Sequence, residues 1–175
     1  MRSITSGEPQ RGTGMPAPGV SFLIRHPAHF VALGFGAGLA PRIPGTVGTL
    51  IGFPIAWWLR GHAGDAGWLA AIAGLVVVGA WAAWITGRDL GVADHGSIVI
   101  DEIAAFVLVL YFTGPGALRD VIAFALFRFF DIVKPPPIRE VDAALKNGIG
   151  VMLDDLLAAL YALVVFAIGL RIAGG

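Results

Sequence analysis

The sequence predicts an all-α fold, a polytopic integral membrane helix bundle of about five crossings, and three observations carry that prediction. Of 175 residues, 57% are hydrophobic and 14% charged, whereas a soluble domain is about 45–50% apolar and about 25% charged. Two runs, residues 66–86 ("AGWLAAIAGLVVVGAWAAWIT") and 149–171 ("IGVMLDDLLAALYALVVFAIGLR"), reach the roughly 20 residues that a helix needs to cross a hydrocarbon core of about 30 Å. The basic residues also segregate once crossings are counted along the chain.

The elements follow in order. Residues 1–20, "MRSITSGEPQRGTGMPAPGV", are rich in Gly, Pro and Ser and lack the apolar core of a signal peptide, so a disordered tail is expected, followed by one membrane domain over 21–175. Residues 30–45, "FVALGFGAGLAPRIPG", carry too much Gly and Pro for a continuous span and read as a re-entrant or interfacial loop. Three shorter apolar segments, 46–60, 98–112 and 117–130, can cross if flanking residues extend them or their ends sit in protein. With 66–86 and 149–171 they make five crossings, and no internal repeat is visible.

Five crossings put Arg2, Arg11, Arg25, Arg42, Arg88, Arg128, Lys134, Arg139 and Lys146 on one side, and Arg60, Arg119 and Arg171 on the other. Positive residues favour the cytoplasm, which orients the first side inward. Asp101 and Glu102, Arg128 and Asp131, Asp154 and Asp155, and the Gly/Pro loop then all fall at the cytoplasmic end.

Twelve basic and twelve acidic residues cancel, so nothing in the charge balance points to nucleic acid. The absence of cysteine excludes disulfides, thiolate metal sites and cysteine nucleophiles. His26, His29, His62 and His95 have no ligand spacing and read as interfacial or loop residues.

Five carboxylates, Asp101, Glu102, Asp131, Asp154 and Asp155, at one membrane boundary would repel one another without a counter-charge. An all-oxygen donor set suits a hard divalent ion such as Mg²⁺. A single acid at a helix start has a plainer explanation as a dipole partner, but ionisable groups inside apolar segments mark function by default. Arg128 and Asp131 lie three apart on one helix face, and Pro135 to Pro137 stop that helix. Lys134 at the exit, like Arg139, reads equally as a positive-inside anchor. In "GFGAGLAPRIPGTVGTL", residues 34–50, glycines allow close backbone approach, and a helix starting near Thr46 would aim free N–H groups at an anion beside Arg42. Carboxylates for a cation, with bases and a glycine loop for phosphate, suit phosphomonoester hydrolysis on a lipid.

The motifs "GLAPRIPGTVGTL", "DEIAAF", "FRFFDIVKPPPI" and "GIGVMLDDLLA", in this order and spacing, resemble the bacterial phosphatidylglycerophosphatase A family from about residue 30 to the C-terminus. The resemblance implies a Mg²⁺-dependent phosphatase of the bacterial inner membrane. It would convert the phospholipid phosphatidylglycerophosphate into phosphatidylglycerol, with its site facing the cytoplasm. It implies Asp101, Glu102, Asp131, Asp154 and Asp155 as catalytic and metal-binding acids, with Glu102 an alternative general base and a covalent aspartyl route still open. Arg42, Gly45, Thr46, Thr49, Arg128 and Lys134 are the expected phosphate binders, and Pro41, Pro44 and Gly48 complete the glycine-loop motif. The family pattern has Gly where this chain has Ala105 and Ala159, adding a methyl to expected helix contacts. The rival from another class is a cation- or proton-coupled transporter. A transporter favours midplane acids and repeated halves, neither of which this pattern offers.

Overall fold

The computed structural model describes residues 18–144 and 148–174. The predicted tail up to Ala17, with Arg2 and Arg11, and Lys146 lie outside the described residues. The described residues contain helices and no strand: α1 (Val20–Leu23), α2 (Pro27–Ala32), a 3₁₀ turn (Gly34–Leu39), α3 (Pro44–His62), α4 (Asp65–Leu90), α5 (Ile100–Thr113), α6 (Ala117–Val133), α7 (Ile138–Ala144) and α8 (Gly148–Ile172). Two of these, α4 and α8, are long and apolar enough to cross a membrane.

All five predicted apolar segments are helices, four of them extended by a few residues and α5 beginning two residues later than expected. α1 begins at Val20, the last residue assigned to the tail. The expected Gly/Pro loop is largely short helix, with Gly34, Phe35 and Gly36 at positive φ within the 3₁₀ turn and residues 40–43 outside any helix. Its Gly38 lies so close to the Ser97 carbonyl that a Cβ there would overlap it, which packs the turn onto the segment leading into α5.

α5 is the axis of the bundle, packed by α3, α4, α6 and α8. Ile103 through Val107, Val109 and Leu110 are all buried, as expected of a helix that is apolar on every side. Small residues allow the close approach. A Cβ at Gly52 of α3 would come within 2.8 Å of Phe106, and Gly48, Gly52 and Ala56 repeat at four-residue spacing along that seam. On α8, Ala158, Ala159 and Ala162 are buried, and Ala105 of α5 is fully enclosed. The methyls at 105 and 159 are therefore accommodated in the core. Phe106 anchors an aromatic cluster, with Phe53, Phe124 and Phe127 centroids 5.0–5.7 Å away.

The outer faces are as apolar as the core. Trp57, Val77, Leu118, Val121, Ile132, Ile149, Val164 and Ile168 are all exposed, an apolar surface that water would not tolerate but hydrocarbon would. The bundle's two ends differ in chemistry. Beyond the C-terminus of α5, Arg60 donates to both Asp120 carboxylate oxygens at 2.8 and 2.9 Å and to the Gly114 carbonyl at 3.1 Å, tying α3 to the α5–α6 turn. The acids stand at the other end of α5, 14 residues or about 21 Å away.

Candidate active site

Asp101 and Glu102 occupy the first turn of α5. Asp154 and Asp155 were expected to open their helix, but α8 begins at Gly148, so they lie in its second turn. That extra turn carries them down beside the start of α5. Carboxylate oxygens of Asp101, Glu102 and Asp155 lie within 4.8 Å of one another. Asp101 is 7% exposed and Asp155 3%, so water screens their repulsion poorly. Asp101 Oδ1, Glu102 Oε2 and Asp155 Oδ2 are buried without a hydrogen-bond partner among the described residues. Buried orphan oxygens on three converging acids are costly unless something else completes them. This donor set fits a hard divalent cation in both chemistry and spacing.

The other two acids are each held by a base. Asp131 forms an ion pair with Arg128 one turn earlier on α6. Asp154 pairs with Lys134, the C-cap of α6, whose backbone is left-handed at φ 44°. A non-glycine residue in that conformation costs about 1–2 kcal/mol, and the pair with Asp154 holds Lys134 in place. Five carboxylates facing two cations leave an excess of negative charge, the imbalance that a divalent ion would offset.

Arg128 joins three helices. Its Nη1 donates to Glu102 Oε1 on α5 at 3.4 Å and to Thr49 Oγ1 on α3 at 3.3 Å, in addition to the Asp131 pair. Thr49 in turn donates to the Gly45 carbonyl at 2.9 Å, which orients its oxygen toward Arg128. Gly45 permits this close approach, since a Cβ would overlap the Glu102 carboxylate and sit 3.4 Å from Arg128 Nη1. The start of α3 thus meets the acids. The helix begins at Pro44, after Ile43 at φ 48°, a strained position for a β-branched residue. Thr46 is half-buried on the same turn. Arg42 is exposed and enters none of the described hydrogen bonds or ion pairs.

Sequence reasoning missed two supports. Tyr161 donates to the Pro136 carbonyl at 2.9 Å and packs against Phe130, fixing the Pro-rich exit that carries Lys134. Its signal was available, because it lies seven residues after Asp154 and so on the same helix face. His29, expected at an interface or in a loop, is buried at 1% exposure, stacked on Phe22 and bonded to Asp89 at 3.0 Å. It fastens α2 to α4.

Comparison with known proteins places this geometry in context. The family model described as Phosphatidylglycerophosphatase A matches residues 30–170. A Haemophilus influenzae protein named phosphatidylglycerophosphatase A is 46% identical over 145 residues, covering 82% of this chain and 89% of the relative. An Escherichia coli protein of the same name is 37% identical over 134 residues, covering 76% and 77%. A Bacteroides thetaiotaomicron protein provisionally named phosphatidylinositol-3-phosphatase is 35% identical over 156 residues, covering 82% and 94%. No solved structure matches the chain significantly.

Proposed function

The chain belongs to the phosphatidylglycerophosphatase A family, and from that premise we propose that it hydrolyses the terminal phosphomonoester of phosphatidylglycerophosphate, giving phosphatidylglycerol and phosphate, with Mg²⁺ held by its acidic cluster. The observation that carries the metal reading is the convergence of Asp101, Glu102 and Asp155, each with an orphan buried oxygen.

Bound there, Mg²⁺ would supply charge neutralisation for the phosphate oxygens and polarise the reacting phosphorus. Asp101 and Asp155 would hold the ion. Glu102 is suited to a proton-accepting role because Arg128 fixes one oxygen and leaves the other free. Arg128, held by Thr49, Glu102 and Asp131, presents its guanidinium to the phosphate with little freedom to lose. Lys134 sets the position of Asp154 and adds positive charge at the rim.

α3, α4, α5, α6 and α8 are the five crossings. α5 is too short to span lipid alone, but enclosed by its neighbours it has no need to. The positive-inside distribution faces the acids to the cytoplasm, so the protein works as a multi-pass enzyme of the bacterial inner membrane.

Replacing Gly45 with Ala should lower kcat/KM by about 10²-fold, because displacing the Glu102 carboxylate by about 1 Å misplaces the reacting groups. Phosphate release measured beside a melting curve separates this from unfolding. The headgroup is tested by comparing purified protein on vesicles carrying phosphatidylglycerophosphate or phosphatidylinositol 3-phosphate. The expected result is preferential release from the first, and a preference for the phosphoinositide would contradict the assignment.

A further inference from the structure

Below the acids, on the apolar side of the bundle, a groove of about 470 Å³ runs between α5 and α8, and every residue lining it is apolar. On α5 it is lined by Leu108 and Phe112, which follow Asp101 at seven and eleven residues and so share its helix face. On α8 it begins at Leu156, the neighbour of Asp155, and continues through Leu160, Leu163 and Leu170 in one stripe. Half of a hydrocarbon core of about 30 Å is about 15 Å, which at 1.5 Å per residue is about ten residues of helix. The α8 lining runs from Leu156 to Leu170, 14 residues or about 21 Å, which covers one leaflet and passes the midplane. The groove therefore starts one residue from Asp155 on α8, lies in line with Asp101 on α5 and is deep enough to take one leaflet's length of acyl chain. The other large apolar groove, lined by α3, α4 and Ile100, opens on the side of α5 that packs against Gly79, away from Arg128.

Resting on the lipid phosphatase reading, we propose that the α5–α8 groove seats an acyl chain of the lipid whose headgroup phosphate meets the acidic cluster. The groove then fixes the depth of the scissile phosphate, and chain length governs KM while the acids govern kcat.

The chain has no cysteine, so single-cysteine variants give clean labelling. Leu160, 53% exposed in the groove, is replaced in Leu160→Cys, and Val77, 69% exposed on α4, serves as the control in Val77→Cys. Each is converted to a mixed disulfide with an alkyl methanethiosulfonate, methanesulfinate leaving, and assayed on long-chain and short-chain forms of the same phosphomonoester lipid. Occupying the groove should raise KM for the long-chain lipid by about tenfold, or about 1.4 kcal/mol, leaving kcat and the short-chain KM unchanged. The Val77→Cys protein should be indifferent to labelling. An unchanged long-chain KM, or an equal loss on both lipids, overturns the proposal. Oxidative crosslinking of Leu160→Cys into dimers in native vesicles overturns it in favour of an interface between copies. Failure of the unlabelled wild type to release phosphate from either lipid sinks the phosphatase reading itself, a result distinct from these.

Discussion

Asp155→Asn should lower phosphate release by about 10²–10³-fold, the range seen when one preorganised electrostatic group is removed, while the melting temperature holds or rises. The two effects part because of where the residue sits. Asp155 is buried, one of its oxygens has no hydrogen-bond partner among the described residues, and it faces Asp101 and Glu102. Removing one of three mutually repelling carboxylates relieves the fold and deprives a cation of a ligand. A purely structural cluster would behave oppositely, since loss of an acid that held the bundle together lowers stability. Mg²⁺ should raise the melting temperature of the wild type through its preference for the folded state and leave that of Asp155→Asn unmoved. Thermal melting with and without Mg²⁺, run beside the activity assay, reads both.

Arg128→Lys should cost a similar factor, about 10²-fold, although the charge is kept. The guanidinium reaches Thr49, Glu102 and Asp131 at once, on two other helices and its own. All three contacts use Nη1, and an ammonium placed one bond short of that nitrogen cannot both keep them and offer a second nitrogen to phosphate. Arg128→Ala goes further, because it leaves Glu102 and Asp131 without their cation in a half-buried setting. Breaking such a pair costs about 3–5 kcal/mol, so that variant should be destabilised as well as inactive. Arg128→Lys should instead retain most of its stability, and the comparison separates the phosphate role from the bracing role.

How far these residues were legible in the sequence depended on the range of the interaction. The long helices were legible because hydropathy is summed over many residues, and the breaks at Pro44 and at Pro135 to Pro137 are local chemistry. The acids stood out because an apolar run makes any carboxylate conspicuous. Partner assignment was not legible. Lys134 reads as a headgroup anchor from its neighbours alone, but the left-handed turn at the end of α6 brings it to Asp154, twenty residues on. His29 looked like a loop residue until α2 packed against α4 and supplied Asp89, sixty residues away. Arg42, expected to bind phosphate by adjacency to the glycine loop, is exposed. Short helices such as α1, α2 and α7 carry too few residues for periodicity to register. The grouping of Asp101, Glu102 and Asp155 required α8 to start a turn earlier than its acids, a detail set by packing.

The measurement that bears most directly on a cation-dependent acidic site is phosphate release from phosphatidylglycerophosphate in vesicles, titrated with Mg²⁺, for wild type and Asp101→Asn. Wild type should be silent after chelation, recover with added Mg²⁺ and saturate, while Asp101→Asn stays at least about 10²-fold slower at every concentration. Wild-type release that persists without divalent cation, or an Asp101→Asn protein that matches the wild type, would contradict the account.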